Sequence, residues 1–538
     1  MTHTDPKLTR RHWMQAAIGS LAWPLASCGG GDSLWASPGV GTGGTGYMGT
    51  ITGLGSVYVD GVRLDESSAT LEQELDLRQT LALTPSSLQI GQRVEVETAA
   101  DGSVSRVRLG AQLAGPVGQV SAQQQTLLVF GQTVVVNLDP AQGPVTVFSG
   151  YAGLAEVATG DAVRVYGSPM PDPKQPGQER LLAHRIEYLD PQALPPARLS
   201  GTLRATGTTG ATGWSLAGVP VQLASAQWLP VGAQAQDGQR VTAVGPWSSG
   251  PQSVWTPDTV KVQQLPSGVG VQRVSGPVRV LANRQLEVGG VGIDASASSL
   301  AQAVAALQSG QYLSVSGVPS ADGTRLVASS LDTLPSGGQP VELRGAIESW
   351  LGPASFSVRG QVIDASQASL GGAASNALGN GRYVEISGRL NGNVLSALQV
   401  NVPASLPDKA VLSVSGQVQS LDPLLDRMQV KLATGEVQSV AGGKAASLKV
   451  GDRVEIEGYW QNGQLQAKQV QARTELEQES ESLKGVIEAV ANDRFRLNGL
   501  WIMASPSQLQ TLRKLRGSRV EIIVQQRDGL LQFMGLHD

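Results

Sequence analysis

Side chains able to run catalysis or hold a metal are scarce in this sequence. It has four histidines (His3, His12, His184 and His537) and one cysteine, Cys28, in 538 residues. His3 and His12 belong to a basic leader, and His537 is next to last. His184 alone falls inside the repeated part described below. Zinc-type sites take several Cys or His ligands, so no metal site is expected. No H-E-x-x-H pair, Walker loop, G-x-S-x-G elbow or EF-hand loop occurs. Gly41-Thr42-Gly43-Gly44-Thr45-Gly46 formally matches a dinucleotide-binding pattern, but no strand precedes it and no helix follows. Acidic residues alternate with apolar ones, as on the wet face of a strand. A pair of carboxylates meeting in space is the acid–base chemistry left open. The chain is expected to use no cofactor and to be non-enzymatic.

The leader has a chemistry of its own. Residues 1–12 carry Lys7, Arg10 and Arg11, and Trp13 to Leu25 is mostly apolar. That run is shorter than the roughly 20 residues a spanning helix needs, and the layout is that of an export signal. Arg10-Arg11-His12-Trp13-Met14 resembles the twin-arginine signal. Leu25-Ala26-Ser27-Cys28 resembles the bacterial lipobox, which implies acylation of Cys28 as the first mature residue. Acyl chains contribute about 0.8 kcal/mol per buried CH₂, so two or three anchor a protein stably. Gly29 follows the cysteine, and the resemblance then implies the outer membrane. The protein is expected to be exported and lipid-anchored to the cell envelope, on its periplasmic or surface face.

Charge narrows the partners. Without residues 1–27 the chain has 37 basic and 43 acidic residues. A mildly acidic protein has no long-range attraction for phosphate backbones, so nucleic acid is excluded as an expected partner. Gly (66) and Pro (29) are abundant and aromatics make up 4%, a mix that favours short strands and many turns.

One pattern returns seven times after residue 48. Each copy opens on a small strand around a glycine: Gly49, Gly115, Gly201, Gly276, Gly345, Gly416 and Gly485. A second strand follows, often ending in a turn glycine, as in Val57-Tyr58-Val59-Asp60-Gly61. Then comes apolar-x-x-Gly-x-x-Val, as in Leu88, Gly91 and Val94, or Leu448, Gly451 and Val454. An alternating strand, a tight Asp-Gly or Asn-Gly hairpin and a last strand close the copy. Some copies add a short helix before the marked glycine. Leu300, Val304 and Leu307 have helical spacing with Ser299 as a cap; Leu509, Leu512 and Leu515 follow Ser505-Pro506.

Five short strands with a helix or loop before the fourth is the order of an OB-type barrel. The pattern resembles the bacterial domain of unknown function 5666, with copies one, five and six nearest to it, and that resemblance adds no activity. The expected fold is all-β, a tandem array of about seven small five-stranded OB-like barrels, some with one short helix. The expected organisation is a signal at 1–27, an acylated Cys28 with a tether at 28–47, and modules at 48–112, 113–194, 195–268, 269–338, 339–406, 407–478 and 479–538. A module of this size is marginal alone, so neighbours along the chain are expected to share interfaces.

One local enrichment stands out: Trp214, Trp228, Trp247 and Trp255 all fall in module three. Core filling is one reading and a stacking platform for sugar rings the other. The expected function is that of a cell-envelope lipoprotein whose array is a structural spacer or docking surface for envelope proteins. The alternative is a lipoprotein that binds carbohydrate or the cell wall through module three.

Overall fold

The computed structural model describes residues 46–536, apart from 100, 176–177, 192–193, 207–212, 248–253, 264, 266–269, 335–339, 373–377, 380–381, 433–436, 444–446, 474–480, 498–499 and 528–529. The chain is all-β. In module six the strands Val411–Asp422, Arg427–Leu432, Val437–Ala441, Gln464–Arg473 and Arg453–Gln461 follow one another round a closed barrel. Third and fifth strands run parallel, with Val440 beside Leu465. Module seven repeats the circuit from Glu481–Val490 to Arg519–Arg527. Modules two, four and five close through the same pairings. This is the OB order inferred from the sequence.

Closure depends on the marked glycine. Among the described residues its N–H donates to the first strand at 2.7–2.9 Å in six modules, from Gly91 to Ile51, Gly160 to Val117, Gly238 to Leu203, Gly310 to Val278, Gly451 to Val418 and Gly517 to Ile487. All six glycines have φ between 80° and 97°, a left-handed backbone that only glycine adopts freely. The next residue's carbonyl accepts from the same first-strand residue, and this half of the pair occurs in all seven modules, Arg382 O to Ile347 N included. The motif is therefore the turn that ties strand four back to strand one.

Modules one and three depart from the plan. In module one, the segment pairing parallel with the last strand (Val104–Leu109) is Thr70–Glu74, an addition after the short third strand Val62–Leu64. In module three a single parallel bridge, Val221 to Trp255, joins the third strand to the last segment. The helices also differ from one another. Pro506–Lys514 starts at Ser505 with a reciprocal capping box to Gln508. The helix at Ala301–Ala305 follows a 3-10 turn at Ser298–Leu300, and Ser299 does not cap it; neither segment has a side-chain cap.

Module six forms one compact unit with its own core of Val418, Met428, Val430, Val440, Val454, Ile456 and Leu465. The other six modules form a second unit, and their contacts do not follow chain order. The first strand of module one (Gly46–Leu54) pairs parallel with the first strands of modules four and five, Gly46 beside Gln272 and Gly53 beside Glu342. Modules one and five share one apolar core, and modules two and three share another. Coupling between neighbours along the chain is thus only part of the design. Barrels too small to bury enough surface alone borrow it from partners distant in sequence.

Candidate functional site

Among the described residues, the hairpin between second and third strands ends in two residues of positive φ in five modules. The pairs are Asp60-Gly61 (45°, 82°), Phe130-Gly131 (49°, 81°), Ala217-Gly218 (49°, 87°), Gly289-Gly290 (56°, 90°) and Arg359-Gly360 (51°, 76°). Such a turn matches the twist of its strands. Its first residue lies on the opening glycine of the module. A Cβ on Gly49 would stand 2.0 Å from Asp60 Oδ2, on Gly115 2.5 Å from Phe130 Cβ, and on Gly201 2.6 Å from Ala217 Cβ. The opening glycine of the repeat makes room for this turn.

The turn residue varies, and in four of these modules it meets a different surface. Phe130 of module two packs edge-on to Trp255 of module three, centroids 5.0 Å apart. The Gly289 carbonyl of module four accepts from Arg93 of module one at 3.1 Å. Arg359 of module five donates to the Pro85 carbonyl of module one. Asp60 of module one accepts from the Tyr312 hydroxyl of module four at 2.7 Å. One repeat position thus serves as a docking point whose residue changes with its partner.

Around Asp60 lies a polar junction of modules one, two and four. Asp60 Oδ2 accepts from the Thr50 N–H at 2.9 Å. The Thr50 hydroxyl bonds His184 Nδ1 of module two at 2.6 Å, and the His184 ring stands edge-on to Tyr312 at 6.0 Å. Arg93 reaches Ser168 Oγ of module two at 2.7 Å. All of these residues are buried. Burial pushes the Asp60 carboxyl above its usual range, against the pull of the Thr50 N–H, Tyr312 and Arg93. It pushes His184 down to about 3, helped by Arg93, and lowers the Arg93 guanidinium. Desolvation disfavours whichever form is charged. His184 Nε2 has no hydrogen-bond partner.

Asp, His, Tyr and Arg in one cluster are the ingredients of acid–base catalysis. A nearby cavity, lined by Thr52, Ile90, Gly91 and Gly143 among others, has a volume of about 30 Å³. A second, between Arg185, Arg359 and Asn393, has about 40 Å³. Each has room for ordered water, far below the 300 Å³ or more of ligand pockets. The geometry suits a lock between modules. Further polar ties surround it. Glu187 is half-buried with Arg185 at 2.6 Å and Arg164 at 3.4 Å, and these outweigh desolvation to hold its carboxyl below the usual range. Asn393 of module five caps the Phe148 N–H and the Tyr151 carbonyl of module two at 2.7 and 2.9 Å. Arg516 of module seven lies over the Tyr151 and Tyr188 rings at 4.6 and 4.9 Å.

Of the candidate residues, Arg10, Arg11 and Cys28 lie outside the described part. The four tryptophans of module three all belong to or pack against the shared core of modules two and three. Trp255 is 3% exposed and its indole N–H donates to the Pro246 carbonyl at 3.0 Å. Trp247 donates to Pro195 O at 2.5 Å. Trp214, Trp228 and Trp247 are half-buried. The sequence singled out His184 and read Asp60-Gly61 as a turn; it did not show that they meet. The signal lay in aligning the turn residues of the copies, where a charge at Asp60 and Arg359 stands against Phe130, Ala217 and Gly289.

A family model for a domain of unknown function (DUF5666) matches residues 275–332, 344–401 and 415–471, which lie in modules four, five and six. No curated protein matches the chain. Module one, expected among the best copies, lies outside the match. The addition that carries Thr70–Glu74 interrupts its barrel circuit.

Proposed function

From the premise that this chain carries DUF5666 domains in tandem, we propose that it is a non-catalytic lipoprotein of the bacterial cell envelope, a docking scaffold anchored through Cys28. The observation that carries the scaffold reading is the turn position shared by the modules. Asp60, Phe130, Gly289 and Arg359 each engage another module, so modules one to five hold a fixed set of outer faces. Buried polar ties specify arrangement more than they add stability. A fixed array suits docking better than a flexible spacer does. The anchor and export reading rests on Leu25-Ala26-Ser27-Cys28 and on Arg10 and Arg11, and the outer membrane remains the preferred address.

The experiment is acyl labelling and fractionation of the full chain in its host, joined to cross-linking in intact cells. The expected result is labelled protein in the outer-membrane fraction, released by Cys28→Ala, with envelope proteins cross-linked to the wild type. Unlabelled protein that fractionates with membranes regardless of Cys28 overturns the anchor. A turnover of small-molecule substrate abolished by Asp60→Asn would overturn the non-catalytic reading.

A further inference from the structure

In module seven the hairpin that other modules use for docking meets module two only at Arg496 among the described residues and leaves Arg494 and Trp501 exposed. Its strands are Arg494–Leu497 and Leu500–Met503. Phe495, Leu497 and Ile502 point into the core. Arg494, Arg496, Trp501 and Met503 therefore share the outer face, with Arg496 opposite Trp501 and Arg494 opposite Met503. Modules one and five bury the second strand on both faces, at Val57–Val59 and Phe356–Val358. Here Trp501 is 41% exposed, the one aromatic side chain of the exposed class among the described residues. Two guanidiniums lie at its ring, Arg494 at 4.9 Å and Arg496 at 5.5 Å. Arg496 is engaged by Glu488 at 2.7 Å and by Glu156 at 3.2 Å. Arg494 has the exposed Asp493 at 3.8 Å, a weak pairing.

We propose that this face binds an acidic oligosaccharide, with Trp501 lying on a sugar ring and Arg494 pairing with its carboxylate or other anionic substituent. Charge supports it through Arg494, the guanidinium at the ring whose one carboxylate among the described residues lies at 3.8 Å, while Arg496 is taken up by Glu488 and Glu156. Size favours a small ligand. A strand of four residues spans about 13 Å, so the face offers room for one or two sugar rings, whereas a stable protein interface takes about 800 Å² from each side. The barrel is closed, so it has no free edge to which a peptide strand could add. The second and third strands are also the face that OB barrels turn to oligosaccharides and oligonucleotides. The inference goes beyond the scaffold reading and is tested apart from it.

The test titrates the purified full-length mature chain with an oligogalacturonate, a neutral malto-oligosaccharide and an oligothymidylate, reading tryptophan fluorescence and calorimetric heat. Oligogalacturonate should bind, weakening at least tenfold in Trp501→Ala and in Arg494→Gln, with thermal unfolding unchanged in both; the neutral sugar should bind at least tenfold more weakly. Absence of oligogalacturonate binding, or equal binding by both variants, overturns the proposal. Trp501-dependent binding of oligothymidylate that matches or exceeds the sugar overturns the ligand class. None of these outcomes alters the contacts on which the scaffold rests.

Discussion

Tyr312 of the fourth module donates its hydroxyl to Asp60 of the first at 2.7 Å, across 252 positions of chain. The bond is buried, and Asp60 also receives the Thr50 N–H. Tyr312→Phe removes one donor from a buried carboxyl that keeps its other partners. Losing a hydrogen bond to a group of this kind costs about 1–3 kcal/mol. Chemical denaturation should show a loss of that size. In a double-mutant cycle with Asp60→Asn the two losses should fall short of additivity; strictly additive losses would mean the pair does not act as one unit.

His184 sets an acid limb. It is buried as the neutral imidazole and its pKa is pushed down to about 3, against 6.5 for the ordinary group. Between those values the unfolded chain binds a proton that the folded one refuses, so stability falls as pH falls through the window. The slope approaches about 1.4 kcal/mol per pH unit. Asp60 has the opposite sign, because its raised pKa makes stability fall as pH rises above the usual carboxylate range. Thermal unfolding from pH 7 to pH 4 should lose its His184 contribution in His184→Gln, giving a flatter acid limb. An unchanged limb would show that other groups control it.

Two glycines of the same motif should respond differently. Gly451 has φ +97° and nothing within 4 Å of a built Cβ, so Gly451→Ala meets only the backbone penalty of about 1–2 kcal/mol. At Gly91, φ +87°, a Cβ would stand 2.5 Å from the His184 carbonyl and 3.0 Å from Arg185 Cβ. Gly91→Ala should therefore cost clearly more and disturb the contact between modules one and two. Equal midpoints in denaturant would contradict this account.

The tryptophans of module three should rank by burial. Trp255 closes its barrel through backbone bonds to Pro220 and Gln222 and fills the shared core beside Phe130. Trp255→Ala should cost about 3–5 kcal/mol, and Trp214→Ala or Trp228→Ala less. Acrylamide should quench Trp501 before Trp255, as single-tryptophan variants would show.

Much of the fold was legible from local chemistry. The marked glycines with positive φ and the Asn-Gly and Asp-Gly hairpins state backbone geometry directly, since few other residues adopt it, and opening glycines such as Gly49 and Gly115 state a close approach that a Cβ would block. Period-two alternation states which face is buried. Ser505-Pro506 states where a helix begins. These are short-range facts, so the residues carry them without help from the rest of the chain. Tertiary structure decided what the sequence left open: that module one pairs with modules four and five, that Asp60 and His184 share a junction, and that Trp255 is core while Trp501 faces solvent. Those outcomes depend on which outer faces of similar barrels meet. The repeat makes the faces alike in backbone, and the difference rests on single turn residues such as Asp60, Phe130 and Arg359, whose partners in other modules lie more than a hundred positions away.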